Sequence, residues 1–242
     1  MQLRAWPRAF RPADFECLFS SRLNEAAQPD ALDPLAGRFW APLLCLFTGA
    51  RGSELGRAQV SDIEPYDGAW GLRVHSAFAG VRIGLARNSR LIPVHPELVR
   101  CRFIAYVAQR KAAGQLTLFP VRTNGASDMQ TAPSVGRWFA RYAQDVGLHP
   151  ELRTLRSLRS TFLLACALSG MGGNTRAELA RLMPRRHAPW SERKFEPNPD
   201  GLAALRFYWI SQVRFDGLEL SHLHVQDPMA GVEEAFSPSA FA

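Results

Sequence analysis

Residues 38–63 read RFWAPLLCLFTGARGSELGRAQVSDI, and the rest of the chain is organised around this stretch. Phe39, Trp40, Leu43, Leu44 and Phe47 recur at near-helical spacing, which predicts an amphipathic helix that buries one face and is anchored in a core. Gly49 is expected to end that helix. Arg51 follows at once, with Glu54 three residues on and Asp62 beyond. A guanidinium is thereby set at a helix-to-helix corner, with the Glu54 carboxylate in reach to orient it. An arginine so placed suits a phosphate, because its planar fork donates two parallel hydrogen bonds and stays charged at any working pH. The same residues also fit a surface arginine beside a helix cap.

Working outward, 242 residues at 47% hydrophobic and 21% charged describe a globular chain large enough for a sizeable core. The formal charge of +7 and a pI of about 9.8 favour a polyanionic partner. Lys111 and Lys194 are the only lysines among the 29 basic residues, and so strong an arginine bias fits genomic composition as well as phosphate binding. Cys17, Cys45, Cys101 and Cys166 are widely spaced and read as reduced core residues, not as a disulfide framework or a zinc site. The chain lacks a bilayer-length apolar run and a signal-peptide pattern, so the expected compartment is the cytoplasm, with no membrane partner.

The expected organisation is an N-terminal arm and short helix over 1–36, one main domain over 37–226, and a poorly ordered tail over 227–242. The fold class is mainly α with a small antiparallel β-sheet (α+β). The arm (1–12) is expected to be loosely held, and Pro12 to Leu23 reads as a short helix begun by a proline. A polar linker follows over Asn24 to Pro34. Strand character runs from Trp70 to Val94 as GLRVHSAF, VRIGL and RLIPVH, separated by Gly80 and by an Asn88-Ser89 turn. Helices are predicted over Glu97–Ala113, Val135–Val146, Leu155–Leu168, Arg176–Met183 and Leu202–Val213, with a buried connection at LTLFP and a loop over Pro184–Pro199. No internal repeat is present.

A second stretch with chemistry is Thr154–Phe162, TLRSLRSTF. On a helix Arg156 and Arg159 are three apart and share a face, with Ser157, Ser160 and Thr161 as nearby donors. A solvated basic face is the plain alternative. The histidines His75, His95, His149, His222 and His224 lack metal-ligand spacing apart from the weak His222-x-His224 pair, so no metal is expected.

TGARGSEL followed by Val-x-Asp-Ile resembles the first catalytic box of the tyrosine recombinases, the phage-integrase family. FRPADFECLFSS and RFWAPLLCLFTGAR are similar to bacterial mobile-element integrases of that family. The family's second box reads His-x-Leu-Arg-His-Thr-Phe, which Leu158-Arg159 and Thr161-Phe162 match in register. LARNSRLIPVHPELV resembles the hairpin in which a lysine precedes a Ser-Arg-x-Ile-Pro run, and LFP and the Trp-Phe helix match as well. The resemblance covers roughly residues 10–185 and implies the fold of a recombinase catalytic domain.

It also implies a chemistry. Two arginines, here Arg51 and Arg159, hold the scissile phosphate while a C-terminal tyrosine attacks it and frees a 5′-hydroxyl, with no cofactor. Arginines preorganised around the phosphorane-like transition state stabilise its charge, while histidines and a lysine move protons. This chain departs from that pattern at the proton-moving positions. The lysine position falls on Leu85, or on Gly84 if the turn differs by one. Arg82 and Arg87 lie nearby, but arginine is a poor proton donor. The box histidine is Arg156. Pro184-Arg185 stand where Gly-His is expected, His187 comes two residues late, and the usual tyrosine position lands near Lys194 or Phe195.

Of the tyrosines only Tyr208 lies beyond Arg159, in LRFYWIS, where a packed core tyrosine is the favoured reading over a nucleophile. Three functions are compatible with these residues. The first is a DNA-binding recombinase-like protein of DNA integration or recombination, degenerate in catalysis, that grips duplex DNA through Arg51, Arg87, Arg90, Arg156, Arg159 and Arg185. The second is an active recombinase using Tyr208 and His187. The third is a protein-interaction scaffold that no longer binds DNA. Only thirty-seven residues precede Arg38, too few for the family's core-binding domain. Site selection is therefore expected to come from a partner, such as a full-length recombinase or a second copy on DNA, or to be lost.

Overall fold

The structure, a computed structural model, describes residues 8–19, 29–66, 69–75, 89–119, 131–173, 175–176 and 208–236. Its helices are α1 (Pro12–Phe19), α2 (Ala36–Thr48), α3 (Gly52–Leu55), α4 (Pro96–Arg100), α5 (Phe103–Ala112), α6 (Thr131–Asp145), α7 (Leu155–Leu168), α8 (208–212) and α9 (Val232–Phe236). The strands β1 (Ile63–Tyr66), β2 (Ala69–His75) and β3 (Ser89–Pro93) form one antiparallel sheet in the order β1-β2-β3. This is the mainly helical α+β architecture expected from the sequence, and no helix among the described residues is long and apolar enough to cross a membrane.

Helix α2 is the centre of the molecule. The sequence predicts one buried face, but every residue of α2 except Arg38 is buried. A helix apolar nearly all round has no face to give to water, so neighbours enclose it on every side. Helix α7 packs along it, and Trp40 meets Phe103 and Tyr106 of α5 at ring-centroid distances of 5.2 and 5.4 Å. Gly49 ends α2 with φ at +63°, its N–H donating to the Cys45 carbonyl at 3.1 Å. That left-handed turn brings Arg51 round to the start of α3.

The sheet alternates with period two, and the register pairs Leu72 with Ile92 and Val74 with Arg90. Leu72, Val74 and Ile92 are buried. Arg90 therefore lies on the inward face of β3, on the same side of the sheet as Val74.

Four expectations are corrected. The predicted single helix over Glu97–Ala113 is two, because Arg102 adopts φ of +59° between α4 and α5. The arm is pinned where it meets the domain: Phe10 is buried and its N–H donates to Thr161 Oγ1 at 2.8 Å. Within the tail expected to be poorly ordered, residues 232–236 form α9, with Val232 buried and Phe236 against Trp70, ring centroids 4.7 Å apart, and residues 237–242 lie outside the described residues. Cys17 is exposed, whereas Cys45, Cys101 and Cys166 are buried thiols whose pKa burial pushes up to about 12.

Candidate nucleic-acid interface

Three guanidinium groups converge where α3, β3 and α7 meet. Arg51 precedes α3 with extended backbone, φ −81° and ψ 147°, and its N–H donates to Glu54 Oε2 at 2.7 Å. The carboxylate of a residue in the first turn thus satisfies a donor that the helix leaves open. The Arg51 side chain is 53% exposed, and its Nη1 lies 4.0 Å from Glu54 Oε1. Glu54 is held far more closely by another residue: Arg90 Nη1 donates to Oε1 and Nη2 to Oε2, both at 2.9 Å. This is the fork-to-fork pairing that fixes a carboxylate in plane. The sequence assigns Glu54 to orienting Arg51, and the structure gives its two short contacts with guanidinium nitrogens to Arg90.

Arg159 comes from the middle of α7. It is buried, and its Nη1 donates to the carbonyl of Gly49, the residue that turns the chain toward Arg51. Burial, and then the charge of Arg90, lower its pKa to about 10; Glu54 opposes the shift and Arg51 adds to it. Arg159 stays protonated at neutral pH, in surroundings that disfavour its charge. Glu54 shows the converse. Burial would raise its pKa, but the bidentate bonds and charge of Arg90, with smaller help from Arg51, hold it below the ordinary 4.5. Glu54 thus stands against guanidinium groups on two sides, and Arg51 reaches toward solvent beside it.

Arg156 and Arg159 do not share one environment. Arg156 is exposed and its carbonyl accepts from Ser160 Oγ at 3.2 Å, while Arg159 turns inward. Tyr208 is also not where the sequence favours it. Instead of packing in a core, it stands 58% exposed on α8 with its ring edge-on to Trp209. Helix α8 meets the end of α7 through Ser169 Oγ and the Gln212 carbonyl, 3.4 Å apart. Ser169 is ten residues beyond Arg159, about 15 Å along a helix axis.

Arg87, Arg185 and His187 lie outside the described residues, as do Leu85, Gly84 and the predicted Arg176–Met183 helix beyond Arg176. Two further histidines cap helices. His95 Nδ1 accepts from the Glu97 N–H at 3.1 Å, and His149 Nδ1 from the Glu151 N–H at 3.4 Å. His224 Nε2 sits 2.7 Å from Glu97 Oε2.

No protein-family model matches the sequence, and no curated protein matches it at a significant level. Solved structures do match. The integrase from mycobacterium phage Brujita matches with a TM-score of 0.55 at 18% identity, over 93% of this chain and 63% of that one. The XerH site-specific recombinase, solved on a palindromic difH substrate in a post-cleavage complex, matches with a TM-score of 0.52 at 15% identity, over 74% of this chain and 47% of that one. The chain has the tyrosine-recombinase catalytic-domain fold. It spans less than two thirds of the length of either structure. On this recombinase fold the sequence's two box arginines, Arg51 and Arg159, come to one corner, and Arg90, singled out in the sequence only as one of several basic residues, joins them there. Its signal was available: Arg90, Ile92 and Val94 alternate along the strand, so an inward arginine was readable from period two.

Proposed function

We propose that this protein binds duplex DNA on its recombinase fold, in DNA integration or recombination, and does not cut it. The observation that carries the reading is the meeting of three guanidinium groups, Arg51, Arg90 and Arg159, at one corner from which the half-exposed Arg51 reaches toward solvent. A buried arginine whose charge is disfavoured by its neighbours is stabilised by an incoming anion, and a backbone phosphate supplies one. Arg156, exposed on α7, adds a further cation at the surface.

Cleavage asks for more than charge. A leaving 5′-oxygen needs a proton and the attacking hydroxyl must lose one, and guanidinium groups serve neither step at neutral pH. The lysine position holds Leu85 or Gly84, and the box histidine is Arg156. Further partners in this reading are a full-length recombinase or a second copy assembled on the same DNA.

One observation favours the active reading as the second: Tyr208 is exposed instead of packed, so its hydroxyl is open to a substrate. A nicked suicide duplex, incubated with the protein and run in parallel on native and denaturing gels, separates the two. Binding without cleavage predicts a native shift and no denaturant-resistant band for wild type and for Tyr208→Phe alike. A covalent band lost in Tyr208→Phe would establish the active recombinase, and absence of any shift would favour the scaffold.

A further inference from the structure

We infer that Arg90 is a positioning residue of the phosphate clamp: it acts through Glu54 to hold the corner that presents Arg51. The inference rests on the reading that Arg51 meets a DNA phosphate. Arg90 stands opposite Val74 on the inward face of the sheet, and its side chain is only 9% exposed. A guanidinium in that position must be paired. Both of its terminal nitrogens donate to Glu54, which fixes the carboxylate in one plane and one orientation.

The same carboxylate oxygen that meets Arg90 Nη2 accepts the Arg51 N–H at 2.7 Å. Helix α3 has four residues, too short to hold its own place. The start of α3, and with it the direction of the Arg51 side chain, is therefore set by an arginine on β3. Gly49 gives the arrangement its other support, since its carbonyl accepts from Arg159. The two arms of the clamp are thus held from different elements, Arg51 by β3 through Glu54 and Arg159 by the turn after α2.

A lysine at position 90 would keep the charge and lose the fork. A double-mutant cycle on a labelled duplex, at one salt concentration with the full chain, tests this: wild type, Arg51→Ala, Arg90→Lys and the pair, each with a thermal melt to establish folding. Arg51→Ala is expected to weaken binding roughly tenfold, and Arg90→Lys by a sizeable part of that, whereas in the Arg51→Ala background Arg90→Lys changes affinity less than about twofold. Additive effects would mean that Arg90 meets DNA itself or acts only on general stability, and would overturn the inference while leaving the binding reading intact. So would an Arg90→Lys protein that binds like wild type. An Arg51→Ala protein with unchanged affinity would overturn both. Should Arg90→Lys fail to fold, Glu54→Gln gives the same cycle, because its amide oxygen still accepts the Arg51 N–H while the charged fork to Arg90 is gone; non-additivity with Arg51→Ala is again the expected result and additivity the contrary one.

Discussion

Glu54 is a buried carboxylate bonded to Arg90 and near Arg51, and its ionised form offsets the charge of buried Arg90. Removing it by Glu54→Ala takes from buried Arg90 its bidentate contact and is expected to lower stability by about 3–5 kcal/mol in denaturant titration, as when one partner of a buried pair is deleted. The pH dependence has a definite sign. The folded pKa lies below the ordinary 4.5, so the unfolded chain takes up the proton first. The stability contributed by Glu54 is complete above about 4.5 and drains away as pH falls through the folded value. Arg51 is the contrast. Its half-exposed side chain stands 4.0 Å from Glu54, and Arg51→Ala is expected to change stability by no more than about 0.5 kcal/mol, which makes it the clean probe of binding. Arg51, Glu54 and Arg159 were legible as chemistry in the sequence because they sit in local patterns. The partner of Glu54 was not, since Arg90 is 36 residues away and only the sheet register brings it close.

Among the helices and strands, one junction seats the site and a second ties α4 to the C-terminal segment. Gly49 turns the chain between α2 and α3 with positive φ, and a Cβ there would run into the Phe162 ring of α7. Gly49→Ala is expected to cost about 2–5 kcal/mol from backbone strain and overpacking together, and to weaken DNA binding because the carbonyl that seats Arg159 moves. The second junction is His95, which caps α4 and joins it to the segment after α8. Its Nδ1 accepts from Glu97 N–H and its Nε2 donates to the Val213 carbonyl at 3.1 Å. Only the neutral ring tautomer satisfies both. Burial lowers its pKa from 6.5 to about 4, against smaller effects of the Val213 bond and Glu97 that raise it. The stability that neutral His95 contributes is complete above 6.5, is lost as pH falls from 6.5 to about 4, and changes no further below that. Melts across this range are expected to show a loss on the order of 3 kcal/mol, absent in His95→Asn, which keeps a capping acceptor. Helix α7 and the strands β2 and β3 were readable from periodicity, whereas β1 lies ahead of the predicted strand region and VRIGL falls outside the described residues. The break between α4 and α5 was not, because Arg102 in the left-handed region carries no glycine or proline to announce it.

For the chain as a whole, the mainly helical fold with its small sheet followed from hydrophobic spacing, and the recombinase likeness from two short boxes in register. What the sequence misjudged were ends and surroundings. Residues 232–236 hold to the body by burying Val232 and setting Phe236 against Trp70 and under Lys111 Nζ, 4.3 Å from the ring centroid. Two apolar anchors in a stretch of Ala, Pro and Ser are a weak signal until their receiving surface is known. Tyr208 misled in the opposite sense, since flanking Phe207 and Trp209 suggested a core that does not enclose it. Whether the cationic corner of this fold receives the DNA backbone is decided by the affinity of wild type and Arg51→Ala for one labelled duplex between about 50 and 200 mM salt. A phosphate held at Arg51 gives a linear fall of log affinity with log salt, with the Arg51→Ala line weaker and shallower by a slope of about 1. Binding indifferent to salt, or two parallel lines of equal affinity, would refute it.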